Sequence, residues 1–211
     1  VEELLPEDAF SRDDEADDMV FYVRDRFVSH LDSVALATVE RIIGELITEE
    51  NPVILDLMAS WDSHIPAVLS PLKVVGLGLN ANELSRNEAL SEYVIHDLNE
   101  NPQLPFPDET FDAVVNTVSV DYMTKPIEVF QDVGRILKPG GLHLVIFSNR
   151  TFPPKAVKIW REASEQERVI LVDYFFESSQ AFEETRFFSS KGKLRPEDDK
   201  YAHMGIPSDP I

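Results

Sequence analysis

Between residues 53 and 147 the chain repeats one pattern: a short apolar run, a turn, a stretch with helical spacing, then another apolar run. The runs are Val53–Leu57, Lys73–Leu77, Glu92–His96, Phe111–Asn116 and Leu142–Phe147. Short helices are expected around Ile65–Leu69 and over Asn82–Leu90. A longer one is expected over Ile127–Leu137, with Val129, Phe130, Val133, Ile136 and Leu137 on one face. Pro139-Gly140-Gly141 should stop it. Strands that alternate with helices through short connections must run parallel and cross over right-handedly. Near-continuous apolar runs suit strands covered on both faces. The expected fold is therefore α/β, a Rossmann-like three-layer α/β/α sandwich with a mostly parallel central sheet.

Outside this region the pattern changes. Upstream, Asp32 or Ser33 is placed to cap a helix over Val34–Ile47, and Asn51-Pro52 ends it. Downstream, Ala156–Phe176 reads as one amphipathic helix and Glu183–Ser189 as a further strand. Lys191–Ile211 is polar and rich in Pro and Asp. No internal repeat or linker divides the chain. We divide it into an acidic N-terminal arm, 1–31, and one α/β domain, 32–211. The first eighteen residues hold nine acids against Arg12 alone, so this part of the arm is expected to be mobile or to lie loosely on the surface.

Charge narrows the partners. Asp plus Glu number 39 and Lys plus Arg 19, a formal charge of −20. Such a surface repels phosphate backbones and anionic lipid, and the basic residues form no patch. Nucleic acid and membrane are therefore not expected partners; a small-molecule substrate is. The chain has no cysteine, which excludes disulfides, zinc–thiolate sites and thiol catalysis. No apolar run approaches the ~18 residues of a membrane span, and the acidic start is unlike a signal or transit peptide. The five histidines (30, 64, 96, 143 and 203) show no paired ligand spacing, so no metal is expected. His64 follows the first strand and is the histidine of greatest interest.

In an open parallel sheet, ligands bind beyond the carboxyl ends of the strands. Gly76-Leu77-Gly78-Leu79-Asn80-Ala81 after Val74-Val75, with Asp97 ending the next strand, matches a dinucleotide-binding fingerprint. This keeps a nicotinamide-dependent oxidoreductase open as one reading. A longer signature is also present. Leu104-Pro105-Phe106, Asp108 and Phe111-Asp112 lead on to Arg135-Ile136-Leu137-Lys138-Pro139-Gly140-Gly141. With this signature the stretch from Val53 to Asn149 resembles the class I S-adenosylmethionine-dependent methyltransferases of small-molecule type. The wording of Asp56–Trp61, Asn82-Glu83-Leu84 and Arg26-Phe27-Val28 with His30 resembles an uncharacterised algal, plant and cyanobacterial branch.

The resemblance implies S-adenosylmethionine as cofactor. It implies that Asp56, Met58, Ser60, Gly78, Leu79, Asn80, Asp97, Leu98 and Asn116 face it, with Asp97 and Leu98 at the adenine. Asp121 and Tyr122 fall where such proteins contact substrate. It also implies a final antiparallel pair of strands. Glu183–Ser189 would supply the first, and the second is expected to be missing, because Ile211 falls where it would start. An intracellular setting, cytoplasm or plastid stroma, goes with this reading.

Two departures bear on the cofactor. The first loop of such proteins carries three glycines; here Met58, Ser60 and Asp62 stand there, and no glycine lies between 45 and 75. The acid expected at the end of the second strand is Gly78, which leaves Asn80 as a weaker neutral partner for ribose hydroxyls. Three explanations follow: an altered cofactor pose over Met58 and Trp61, a different ligand, or a binding or scaffold module that has lost the cofactor. Trp61 is either a stacking platform or a packing residue.

Overall fold

A computed structural model describes residues 5–211. Five strands, β1 (Val53–Leu57), β2 (Lys73–Gly78), β3 (Glu92–Ile95), β4 (Phe111–Thr117) and β5 (Leu137–Ile146), form one sheet in the order β3-β2-β1-β4-β5. Every pairing is parallel. Alternate residues serve opposite faces, as the pleat requires. Leu55, Leu57 and Val114 join one apolar layer, and Ile54, Ala113 and Val115 the other. Helix α2 (Ser33–Leu46) covers the second layer through Ala35, Val39 and Ile43. Helix α4 (Pro126–Ile136) covers the first with α5 (Lys158–Glu162) and α6 (Glu165–Ser179). The three-layer sandwich expected from the alternation is what forms.

Several boundaries differ from expectation. Helix α3 (Ala81–Ser85) is a single turn and a half, because Asn87 leaves helical geometry to bind Ser60 and Ser63. The stretch 65–69 makes only a 3-10 turn, Ala67–Leu69. Pro139-Gly140-Gly141 does not separate α4 from the sheet. Leu137 already pairs with Phe111, and residues 138–141 bulge out before Leu142 pairs with Ala113. Gly140 at φ +80° makes that bulge possible. The single helix expected over 156–176 is two, because Ser164 and Glu167 form a capping box that starts α6 afresh.

Glu183–Ser189 is not a strand, and among the described residues no strand follows Ile146. The outer edge of β5 is consequently open, and a groove of about 1130 Å³ runs beside it, rimmed by Phe187 and Phe188.

The acidic arm does not lie loosely. Ala9 and Asp18 are buried. The amides of Lys158 and Ile159 donate to the carbonyls of Ser11 and Ala9, and that of Asp14 to Pro154. Lys158 pairs with Asp8, Arg161 with Asp13 and Lys155 with Asp18. Three bases at and just before α5 thus hold acids of the arm. The sequence of the arm shows the acids but not their partners, which lie some 140 residues away. Residues 1–4 fall outside the described part. Beyond them the arm continues through α1 (Asp18–Tyr22) to Leu31, just before the Asp32 cap of α2.

The tail is anchored too. The Asp32 carboxylate caps α2 by accepting from Val34 and Ala35, and it also accepts from Ser208 and Asp209. Buried Arg195 binds Asp209 at 2.6 Å. No helix of the described residues is long and apolar enough to cross a membrane.

Candidate functional site

A cavity of about 160 Å³ lies beyond the carboxyl ends of β1 to β4. The groove beside β5 is larger, but it follows the sheet edge, whereas the strand ends are where a parallel sheet presents loops and helix starts to a ligand. Asp56, Met58, Ser60, Gly78, Leu79, Asn80, Asp97, Leu98 and Tyr122 all line the smaller cavity. Asn116 and Asp121 do not. Asn116 is fully buried and donates to the Leu57 carbonyl and Ser119, so it stands behind the wall. Asp121 is buried and accepts from Thr151 at 2.6 Å.

The first loop keeps a glycine-like path without glycine. Met58 sits at φ +60° and His64 at φ +53°, a region that β-carbons disfavour. The amide of Ala59 donates to the Leu77 carbonyl at 2.7 Å, which draws the loop onto β2. Gly78 is where the two chains touch: a β-carbon there would overlap the Ala59 carbonyl oxygen. The missing acid at the end of β2 therefore has a steric cause. Gly76 is tight for a different reason, since its β-carbon would stand 2.5 Å from Leu90.

Asp56, next to last in β1, is a buried carboxylate, and its Oδ2 has no hydrogen-bond partner. Burial pushes its pKa up to about 7, against the opposing pull of Ser63. Asn116 Oδ1 and Thr117 Oγ1 at the end of β4 are likewise without partners. His64 is partly buried, which pulls its pKa down, but Asp62 at 3.1 Å more than offsets this and holds it above the usual value. Burial raises the Asp121 carboxyl to about 7 and also raises the Tyr122 hydroxyl, which accepts from the Phe152 amide.

Asn80 is fully engaged. Its oxygen caps α3 by accepting from Asn82 and Glu83, and its amide donates to the Tyr22 carbonyl and Asp25. Asp97 accepts from the Asn99 amide at 2.8 Å, and Asn99 in turn donates to Asp18. Trp61 donates from Nε1 to the Val28 carbonyl and meets Phe27 edge-on, so in this arrangement it packs against the arm.

Two groups at the cavity carry no site assignment in the sequence, although Arg26, Val28, His30 and Glu83 belong to the wording of the resemblance. Tyr22, Arg26, Val28 and His30 of the arm form its cover together with Phe152. Glu83 is buried, accepting from the Arg26 amide and from the Ser60 hydroxyl, each at 2.6 Å. A signal for Glu83 was present, because Asn80 with an acid three residues later has the form of a capping box. The carboxylate turns toward Ser60 instead of back to its own helix start.

The cavity thus combines buried acceptors that lack donors, a carboxylate in β1 (Asp56), one in α3 (Glu83) and one after β3 (Asp97), and aromatic walls. That set fits a ligand with a cationic amine, hydroxyls and an aromatic base. The cavity itself is below the roughly 300 Å³ where small-molecule pockets begin, and the arm is what closes it.

Residues 66–145 match a family described as methyltransferase domain. Among curated proteins, the chain is similar to a malonyl-[acyl-carrier protein] O-methyltransferase of Marinomonas sp. (strain MWYL1), 26% identical over 62% of this chain and 50% of that one. It is also similar to a fatty-acid O-methyltransferase of Mycolicibacterium smegmatis, 35% identical over 39% of this chain and 31% of that one. The chain spans half or less of the length of these relatives. Solved structures similar to it include an S-adenosylmethionine dependent methyltransferase from Mesorhizobium loti, with 21% identity, a TM-score of 0.41, and 50% and 51% of the two chains covered. Another is a protein from Pyrococcus horikoshii OT3, with 23% identity, a TM-score of 0.46, and 55% and 57% covered.

Proposed function

We propose that this chain, whose residues 66–145 match a methyltransferase domain, belongs to the class I superfamily and transfers a methyl group to a small molecule. The cofactor that goes with that family is S-adenosylmethionine. The observation that carries the reading is Asp56: a buried carboxylate near the end of β1 whose Oδ2 lacks any donor, lining the same cavity as the equally unpartnered Thr117 Oγ1. Buried acceptors without donors are costly, and an ammonium group entering from the cavity would satisfy them.

In this reading Asp56 faces the amino-acid end of the cofactor, with the Met58 and Ser60 backbone lining the loop beside it. Gly78, Leu79 and Asn80 border its sugar, and Asp97 and Leu98 its base. Asn116 braces the wall from behind. When bound, the cofactor supplies an electrophilic methyl group on a sulfonium. The chain's own part is to align the acceptor and exclude water. Tyr122 lines the cavity next to Asp121, and the pair is placed to orient that acceptor. The −20 charge favours a neutral or cationic acceptor over a nucleic acid.

A second reading has its own observation. The small closed cavity, with Met58 and Ser60 where the resemblance expects glycine, suits a binding or scaffold module without catalysis. The nicotinamide reading is weaker. Gly76 and Gly78 have packing reasons at Leu90 and Ala59, and the first amides of α3 are already taken by Asn80, so a pyrophosphate finds few donors.

Calorimetric titration separates the three. Binding of S-adenosylmethionine and S-adenosylhomocysteine, with none of NAD, is the expected result. No heat from the first two at millimolar ligand overturns the methyltransferase reading, and tight NAD binding replaces it with the oxidoreductase.

A further inference from the structure

We propose that the Glu83 carboxylate is the acceptor for the vicinal hydroxyls of the nucleoside ligand, and that the Arg26 amide and Ser60 hydroxyl occupy its two oxygens until that ligand arrives. The assignment rests on the cofactor reading above and goes further by naming which side chain reads the sugar.

The cavity floor crosses three adjacent strands in the order β3-β2-β1. Each contributes one carboxylate: Asp97 after β3, Glu83 from the helix after β2, and Asp56 within β1. A ligand with a base at one end and an ammonium at the other, laid across this row, brings its sugar to the middle position. The strand end at that position cannot carry a side chain, because Gly78 abuts Ala59. The nearest carboxylate therefore comes from Glu83, at the third position of α3.

Glu83 is also chemically suited. Its present donors are both uncharged, one to each oxygen: Arg26 N–H to Oε1 and Ser60 O–H to Oε2, both 2.6 Å. The Arg26 guanidinium is turned elsewhere, donating to the Phe21 carbonyl and lying 4.7 Å from the Phe21 ring. Asp18, by contrast, is tied to Arg12 and Lys155, and Asp62 to His64. Two hydroxyls on neighbouring carbons match two carboxylate oxygens one for one. One of the donors they replace belongs to the arm, so engaging the sugar and loosening the cover are the same exchange.

The test compares S-adenosylhomocysteine with its 2′,3′-dideoxy counterpart by calorimetry on the full chain. The wild type should favour the hydroxylated form roughly ten- to a hundredfold, the size of a hydrogen bond to a charged group. Glu83→Gln should lower its affinity by most of that factor and leave the dideoxy form unchanged. Ser60→Ala removes a competing donor and should tighten the hydroxylated form alone. Equal loss for both ligands in Glu83→Gln overturns the assignment. Should that variant not fold, Ser60→Ala decides: selective tightening supports it, and no change or a loss overturns it. S-adenosylhomocysteine that binds without regard to its hydroxyls refutes Glu83 alone. A wild type that binds neither ligand refutes the cofactor reading as well.

Discussion

Asp18 and Lys155 lie 137 positions apart in sequence and meet at 3.0 Å, with the lysine side chain fully buried. Lys155 also donates to the carbonyls of Asp14 and Ala16, at 3.1 and 2.5 Å. Asp18 is shared with Arg12 and Asn99. This node holds the arm over the cavity. Breaking a buried pair by removing one partner leaves the other charge uncompensated. Lys155→Met should therefore cost about 3–5 kcal/mol in urea unfolding. It should also expose the stretch between residues 14 and 30 to limited proteolysis. An unchanged cleavage pattern would show that the arm is held by other contacts.

Met58 offers a cleaner comparison. At φ +60° its backbone favours glycine. Met58→Ala and Met58→Gly both remove the side chain and differ only in what the backbone tolerates. The glycine variant should be the more stable of the two by about 1 kcal/mol. Equal stabilities would mean that the loop relaxes out of the left-handed region.

The restoring substitution at Gly78 should fail. Gly78→Asp places a β-carbon against the Ala59 carbonyl, and backbone cannot swing aside as a flexible side chain can. A Met58→Gly, Ser60→Gly, Gly78→Asp triple variant should lose stability and gain no S-adenosylhomocysteine affinity. A gain in calorimetry would show that the first loop can be rebuilt, and that the pocket has decayed from the form with three glycines.

Acid–base titration gives a fourth expectation. Asp56 and Asp121 have ordinary values of 3.8 and sit near 7 in the fold because of burial. Below pH 4 folded and unfolded chains both hold these protons. Between about 4 and 7 the fold keeps them while the unfolded chain has released them, so stability falls as pH rises through this window. His143 works the other way. It is buried among Phe130, Phe176 and Phe182 without partners, which lowers its pKa to about 3. It therefore adds stability as pH rises from 3 toward 6.5. Substitution separates the two. Asp56→Asn should gain on the wild type from pH 5 to pH 8 by a few kcal/mol or less. His143→Phe should lose the acid sensitivity between pH 3 and 6. Denaturant midpoints across this range check both, and an Asp56→Asn difference that does not vary with pH would refute the first.

Most of the sheet could be read from the chain because each strand states its own case. Val53–Leu57 and Lys73–Leu77 are apolar runs with turns on both sides, and the strand ends then name Asp56, Gly78 and Asp97 together. The start of α6 is also written locally, in Ser164 and Glu167, though the apolar spacing over 156–176 alone spells a longer helix. Other features have no local signature. Nothing near Asp8, Asp13 or Asp18 announces Lys158, Arg161 and Lys155. Glu83 reads as a helix-start acid until Ser60 is seen beside it. Phe187 and Phe188 look like strand residues, yet they stand more than half exposed beside β5, where an apolar run alone could not say which edge it would meet.

The distant contacts of the arm also set an order of assembly. Its bases lie at 155, 158 and 161, so the acids at 8, 13 and 18 meet these partners only after residues 155–161 have been made. Closing a loop of that length is slow and entropically costly compared with forming the neighbouring strand pairs. The cover over the cavity consequently settles after the strand pairs beneath it. A ligand present during synthesis meets the strand ends while they are still open, and the finished protein can be built around it.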